Sequence, residues 1–282
     1  MKKLTCIIAF TIIVINQNNA FAQTKSCCAM NATAEFAMLG KDADFQKAHL
    51  APDPINFTPS TGSELTFTTS DGTNGKGYMI KSEVKSKKFL FVIHEWWGLN
   101  DHIRKEAEAL ALAIPEVNVI AIDLYDGKVA TNADDAGKFM QEVKQERAVA
   151  IINGALQYAG TDAEIQTIGW CFGGAWSLQA TILAGKNSKG CVMYYGMPEK
   201  DIEKLEKIDS PILGIFASKD GWINHAVVDE FEKQMKSLHK PLAIKWYDAD
   251  HAFANPSNPS KYDKAAAEDA NKLAIAFLLK NF

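Results

Sequence analysis

Arginine is almost absent from this 282-residue sequence: Arg104 and Arg147 are the only two among 30 basic residues. Lys and Arg nowhere gather into a block that could track a phosphate backbone, and the formal charge is −4. That balance argues against nucleic acid as a partner. Cysteine is sparse as well, with five residues in neither C-x-x-C nor any comparable metal spacing, and H-x-x-H is missing. A structural zinc site is not indicated, and nothing in the sequence calls for a metal or an organic cofactor. No internal repeat or low-complexity segment interrupts the chain. The longest apolar run, Leu4 to Ile15, has twelve residues, too few to cross a bilayer of roughly 30 Å as a helix.

That run has the form of an export signal. Lys2 and Lys3 supply a positive start, and Ala20-Phe21-Ala22 supplies a small-x-small cleavage site. Residues 1–22 are therefore expected to be a signal peptide, with export to the periplasm of a bacterial-type cell and no stable membrane span after cleavage. Cleavage removes Lys2 and Lys3 and moves the formal charge from −4 to −6. Cys6 lies too early for lipid attachment, and Thr24-Lys25-Ser26 ahead of Cys27-Cys28 does not form a lipoprotein box. The adjacent Cys27-Cys28 could bind metal, pair with another chain or do neither.

Residues 23–63 show little periodicity beyond a weak apolar pattern at Phe36, Leu39 and Phe45, and read as an extension on the domain surface. From residue 64 the pattern is regular. Leu65–Thr68 alternates as a half-buried strand, Asp71–Gly77 is turn chemistry, and Tyr78–Val84 returns as a second strand. Six continuous apolar runs follow: Phe89–Ile93, Val117–Ile122, Ile165–Gly169, Cys191–Tyr195, Ile212–Ala217 and Ala243–Tyr247. Stretches of helical spacing separate them, the first led by the capping candidates Asn100 and Asp101. Continuous apolar strands alternating with helices predict an α/β domain over residues 64–282. Its sheet is eight-stranded and mainly parallel, with helices on both faces, the count of an α/β-hydrolase fold.

Chemistry concentrates after the third of those runs. Gly169-Trp170-Cys171-Phe172-Gly173 follows an apolar strand and opens a helix, the context in which G-x-S-x-G becomes a nucleophile elbow, with Cys171 in the serine position. A helix N-terminus there favours a thiolate. Asp220 follows the strand Ile212–Ala217 and His251 follows Ala243–Tyr247. The order Cys, Asp, His at the carboxyl ends of successive parallel strands is that of an α/β-hydrolase triad. Asp250 is the rival acid, but a neighbour in sequence is badly placed to orient His251. Of the remaining histidines, His49, His94, His102, His225 and His239 read as surface or satisfied core. The loop His94–Asn100 is placed to give a second oxyanion donor, so the backbone N–H groups of Trp96 and Phe172 are the candidates. Glu95, between an apolar strand and two tryptophans, needs a role or a partner such as Arg104. Cys191, at the start of a strand, reads as core, and no resolving cysteine lies near Cys171 in sequence.

Together His94–Asn100, Gly169–Gly174, the Asp220 turn and His251-Ala252-Phe253 resemble the dienelactone hydrolase family, over about three quarters of the chain. The resemblance implies an ester or lactone hydrolase working through an acyl-enzyme at Cys171, with His251 relaying protons, Asp220 orienting His251 and Glu95 activating the thiol. It also implies that the glutamate contacts the resting thiol and shifts when substrate binds. One departure stands out. Family members acting on dienelactone hold its carboxylate with arginines, one of them four residues after the histidine, and here that residue is Asn255. Lys128 and Lys138 follow the strand Val117–Ile122, but a lysine cannot reproduce a bidentate fork. The substrate is therefore a small-molecule ester or lactone not restricted to dienelactone, with Trp97, Trp176 and Asn255 as candidate pocket residues. Alternatives are a thioesterase or broad carboxylesterase with the same triad, or an exported binding protein that has lost turnover. The chain is expected as a monomer or small homo-oligomer.

Overall fold

The structure, a computed structural model, describes residues 31–282. The expected signal peptide and Cys27-Cys28 lie outside these residues. Strands β1 (Ser63–Phe67), β2 (Gly75–Ile80), β3 (Lys88–Ile93), β4 (Asn118–Asp123), β5 (Glu164–Trp170), β6 (Ser188–Tyr194), β7 (Ile212–Ala217) and β8 (Leu242–Tyr247) form one sheet. Their order is β1-β2-β4-β3-β5-β6-β7-β8. β2 pairs antiparallel with both β1 and β4, and every pairing from β4 onward is parallel. This is the eight-stranded, mainly parallel α/β-hydrolase sheet.

The apolar runs explain which strands lie inside. β7 is buried at all six positions, as a strand covered on both faces must be. β8, at the sheet edge, alternates half-buried and exposed positions instead. β2 is the largest departure from the sequence reading: it starts at Gly75, inside the expected turn, and ends at Ile80. Gly75 and Gly77 allow this because a Cβ at Gly75 would strike the Phe67 ring and one at Gly77 the Ala121 carbonyl, so both strands pack close.

Helices α1 (Ala32–Met38), α2 (Ala43–Ala48), α3 (Asp101–Ala113), α4 (Ala133–Glu142), α5 (Gln145–Ala159), α6 (Phe172–Ala184), α7 (Ile202–Leu205), α8 (His225–Ser237) and α9 (Lys264–Asn281) complete the described chain. α3 begins where its cap predicts, with the Asn100 side chain accepting from the Ile103 N–H. α6 is apolar all round and buried along almost its whole length. Among the described residues no helix is long and apolar enough to cross a membrane.

The segment ahead of β1 departs from the expected surface position. Its helices are capped by Asn31 and Asp42 and carry Phe36 and Phe45, both fully buried. α1 packs against α6 and α4, and α2 lies over the carboxyl ends of the strands.

Candidate active site

Cys171 sits between β5 and α6 with φ 58° and ψ −120°. A non-glycine residue there carries strain of about 1–3 kcal/mol, held by its surroundings. The glycines on either side explain how. A Cβ at Gly169 would lie 2.1 Å from the Gly173 carbonyl oxygen, and one at Gly173 would lie 2.2 Å from that of Ile93. Only glycine lets α6 approach β5 and β3 this closely, which is what forces the elbow and lifts Cys171 above the sheet.

Asp220 and His251 meet as the sequence order predicts. His251 Nδ1 lies 2.5 Å from Asp220 Oδ2, and the other carboxylate oxygen accepts from the N–H groups of Trp222 and Ile223. Burial alone would raise the Asp220 carboxyl, but the His251 interaction and those two donors hold it below the usual carboxylate range. His251 is left with Nε2 free of any partner among the described residues. One ring nitrogen of His251 and Cys171 Sγ lie within 4.8 Å of each other. Asp250 turns instead to Lys261.

The resting sulfur is a thiol. Burial first, then the Glu95 carboxylate, push Cys171 well above the ordinary cysteine value, against the backbone N–H groups of Phe172 and Trp96. The helix terminus alone would favour a thiolate; full enclosure beside a carboxylate overrules it. Those same two N–H groups are the expected oxyanion donors, and both bear on the sulfur. Glu95 does not pair with Arg104, which bonds Glu64 and Asp101. Its oxygens accept from Asn255 Nδ2 at 2.8 and 2.9 Å. Burial raises Glu95 to about 7 in spite of that donor.

A cleft of about 280 Å³ opens beside Glu95, lined on one side by α3 and on the other by Trp170, Tyr194, Asn255 and α9. Of the expected pocket residues, Asn255 lines it. Trp97 and Trp176 do not: both are core, 2% and 1% exposed, because the loop and helix that carry them turn inward. Neither arginine reaches this cleft. Arg147 ties Asp71 and Asp126 together, and Lys128 and Lys138 pair with Glu142. His94 is a satisfied core residue, its Nε2 accepting from the Leu124 N–H and its Nδ1 donating to the Glu95 carbonyl.

The sequence reading missed the roof of the site. Phe45 lies edge-on to Trp96 and Trp222 and 5.7 Å from His251 between ring centroids, and His49 lies 5.2 Å from His251. Burial, then the neighbouring His251, push His49 down to about 3, so it is neutral. Tyr195, at φ 36°, packs 5.0 Å from His251, and its buried hydroxyl has no partner among the described residues. The weak apolar pattern at Phe36, Leu39 and Phe45 and the cap residue Asp42 were local signals for this roof.

The dienelactone hydrolase family model matches residues 76–282. The chain is 31% identical to protein usf of Aquifex pyrophilus, covering 71% of this chain and 93% of that protein. It is 28% identical to a carboxymethylenebutenolidase of a Pseudomonas species, over 49% of this chain and 58% of that one. In fold it is similar to a dienelactone hydrolase-like promiscuous phosphotriesterase from metagenomic libraries, with TM-score 0.69 and 19% identity over 79% of this chain and all of that one. The chain belongs to the dienelactone hydrolase family and is an ester- and lactone-hydrolase enzyme of the α/β-hydrolase fold.

Proposed function

We propose that this enzyme is a cysteine-nucleophile hydrolase of a small ester or lactone, and that its natural substrate is not an anionic lactone. The observation carrying the first half is the assembly of Cys171, His251 and Asp220 at three strand ends, with the His251–Asp220 contact at 2.5 Å. In the reaction the thiol proton passes to Glu95 as that carboxylate leaves Asn255, and Sγ attacks the acyl carbon. The N–H groups of Trp96 and Phe172 receive the developing oxyanion. The proton is relayed through His251 to the leaving oxygen. Water then gives a proton to His251 while attacking the thioester, and the departing sulfur takes that proton back.

The second half rests on the missing clamp. Asn255 stands where the family resemblance leads one to expect arginine, and it is engaged with Glu95. Both arginines are committed elsewhere. Lys105 lines the cleft but is a point charge that cannot supply arginine's bidentate fork, so a neutral ester, including a thioester or simple carboxylester, suits the cleft better than an anionic lactone. Hydrolysis of p-nitrophenyl acetate and of dienelactone, each with a Cys171→Ala control, tests both halves. Cys171-dependent turnover of the acetate, with dienelactone turned over poorly, supports them. Equal turnover of dienelactone removes the substrate claim, and equal rates for the alanine variant and the parent leave an exported binding protein as the better reading.

We also propose export, on the strength of Lys2-Lys3, the apolar run Leu4–Ile15 and Ala20-Phe21-Ala22. N-terminal sequencing of protein from the periplasmic fraction should begin at Gln23. An uncleaved cytoplasmic chain counts against it.

A further inference from the structure

His49 joins the triad from outside it. One ring nitrogen each of His49 and His251, and Cys171 Sγ, all lie within 4.8 Å of one another, and all three residues are buried. The hydrogen bonds fix what those atoms offer. His251 Nδ1 faces the Asp220 carboxylate and His49 Nδ1 lies 2.7 Å from the Phe45 carbonyl oxygen. With Nδ1 facing an acceptor in each ring, the neutral imidazole of either residue presents its lone pair on Nε2. Neither Nε2 has a partner among the described residues. The site therefore holds two buried imidazole lone pairs and one thiol. A single S–H can satisfy only one of those lone pairs. An orphaned buried acceptor is costly unless something else occupies the space between the rings.

We propose that His49, Cys171 and His251 form a three-ligand site for a thiophilic d10 cation, zinc, with a fourth position left open. Two features beyond the donor set support this. Each imidazole is backed on its far nitrogen, one by a carboxylate and one by a backbone carbonyl, and these are the partners that orient histidine ligands toward metals. The ligand set of two nitrogens and one sulfur is also one that zinc takes at about 2.0–2.3 Å, so the three atoms need only draw together by roughly 1 Å. Binding replaces the S–H bond with a sulfur–zinc bond and releases one proton to solvent. The consequence is inhibition, because the metal occupies both the nucleophile and the lone pair that relays protons. It also ties α2, which leads directly into His49, to the catalytic loops. The site uses two residues of the proposed hydrolysis, but it is defined by binding and not by turnover.

Purified protein, stripped with a chelator, is titrated with cobalt(II) as a spectroscopic stand-in, and zinc then competes. The proposal requires a sulfur-to-cobalt charge-transfer absorption saturating at one equivalent, bleached by one equivalent of zinc, with about one proton released per metal. Cys171→Ser should abolish the band. His49→Ala should weaken binding by at least ~10-fold, and its residual hydrolysis should resist zinc concentrations that silence the parent. His49→Gln, which keeps a polar side chain under Phe45, gives the same reading should the alanine variant be unstable. No charge-transfer band, or the same isotherm in both His49 variants as in the parent, overturns the site. That result leaves hydrolysis untouched, whereas absent turnover with an intact band would overturn the hydrolase reading alone.

Discussion

Two buried glutamates, one beside the nucleophile and one beneath the first hairpin, are shifted in opposite directions from the ordinary carboxylate value. Glu95 and Glu108 are each 8% exposed. Glu108, on α3, accepts from the Tyr78 hydroxyl, from the N–H groups of Ser60, Thr61 and Gly62, and from the Ser60 hydroxyl. Burial would raise it, but those donors hold it down at about 2. Glu95 lies deeper and has Asn255 alone, and it rises to about 7. Both lose water, but Glu95 is enclosed more deeply and has fewer donors to replace that water, and the two differences act in the same direction. The hairpin region uses its carboxylate as a fixed clamp on residues 60–62. The catalytic region leaves its carboxylate poorly satisfied, and so able to take a proton near neutrality.

The largest effect expected from breaking this contrast is on rate. Glu95→Gln keeps the shape and the Asn255 contact but cannot accept the thiol proton. Its kcat/KM for p-nitrophenyl acetate at pH 8 should fall by about 10²–10⁴-fold, the usual range for a lost general base. A fall of less than threefold would make Glu95 a structural residue like Glu108. Glu108→Gln is the mirror experiment. It should leave the pH profile of kcat/KM in place and lower stability by about 3 kcal/mol in urea unfolding at pH 7, through lost hydrogen bonds to a charged acceptor. Because the folded value of Glu108 lies below the unfolded one, its contribution is present above about pH 4.5 and is lost as pH falls toward 2. The parent and Glu108→Gln should therefore converge in stability in that acid window.

The sign reverses for Glu95. Its folded value lies above the unfolded one, so the folded state binds the proton more tightly, and ionisation erodes stability as pH rises from about 4.5 to 7. Glu95→Gln should consequently be more stable than the parent, by about 3 kcal/mol above pH 7, with no difference below pH 4. Equal stability across the range contradicts the assignment. The smallest effect belongs to Asn255→Leu. Removing the donor should move Glu95 further up and shift the alkaline-rising limb of kcat/KM by less than about one pH unit. A limb that stays at about 7 shows that Asn255 does not set the carboxylate.

The strand ends were legible in the sequence because continuous apolar runs announce buried parallel strands, and the residue just past such a run lies where these sheets place their chemistry. Cys171, Asp220 and His251 each lie within four residues of the end of such a run. Glu95 was legible for a different reason: a carboxylate between Ile93 and two tryptophans demands an explanation. Its actual partner, Asn255, is 160 residues away, so spacing suggested Arg104 instead. The roof was illegible because α1 and α2 have seven and six residues, too few turns for an apolar stripe to stand out. Phe36 and Phe45 are buried by contacts with α6, Trp96 and Trp222, which no local period encodes. Trp97 and Trp176 misled in the reverse direction, since an aromatic near a nucleophile reads as pocket lining until the turn of the backbone shows which way it faces.

The nucleophile is tested most directly by mass spectrometry of enzyme mixed rapidly with p-nitrophenyl acetate and quenched in acid. One acetyl group per chain should appear on the peptide containing Cys171 and be lost on longer incubation in the parent. No acetyl should appear on Cys171→Ala. An unmodified Cys171 during rapid turnover, or an acetyl group on another residue, would contradict the thioester mechanism.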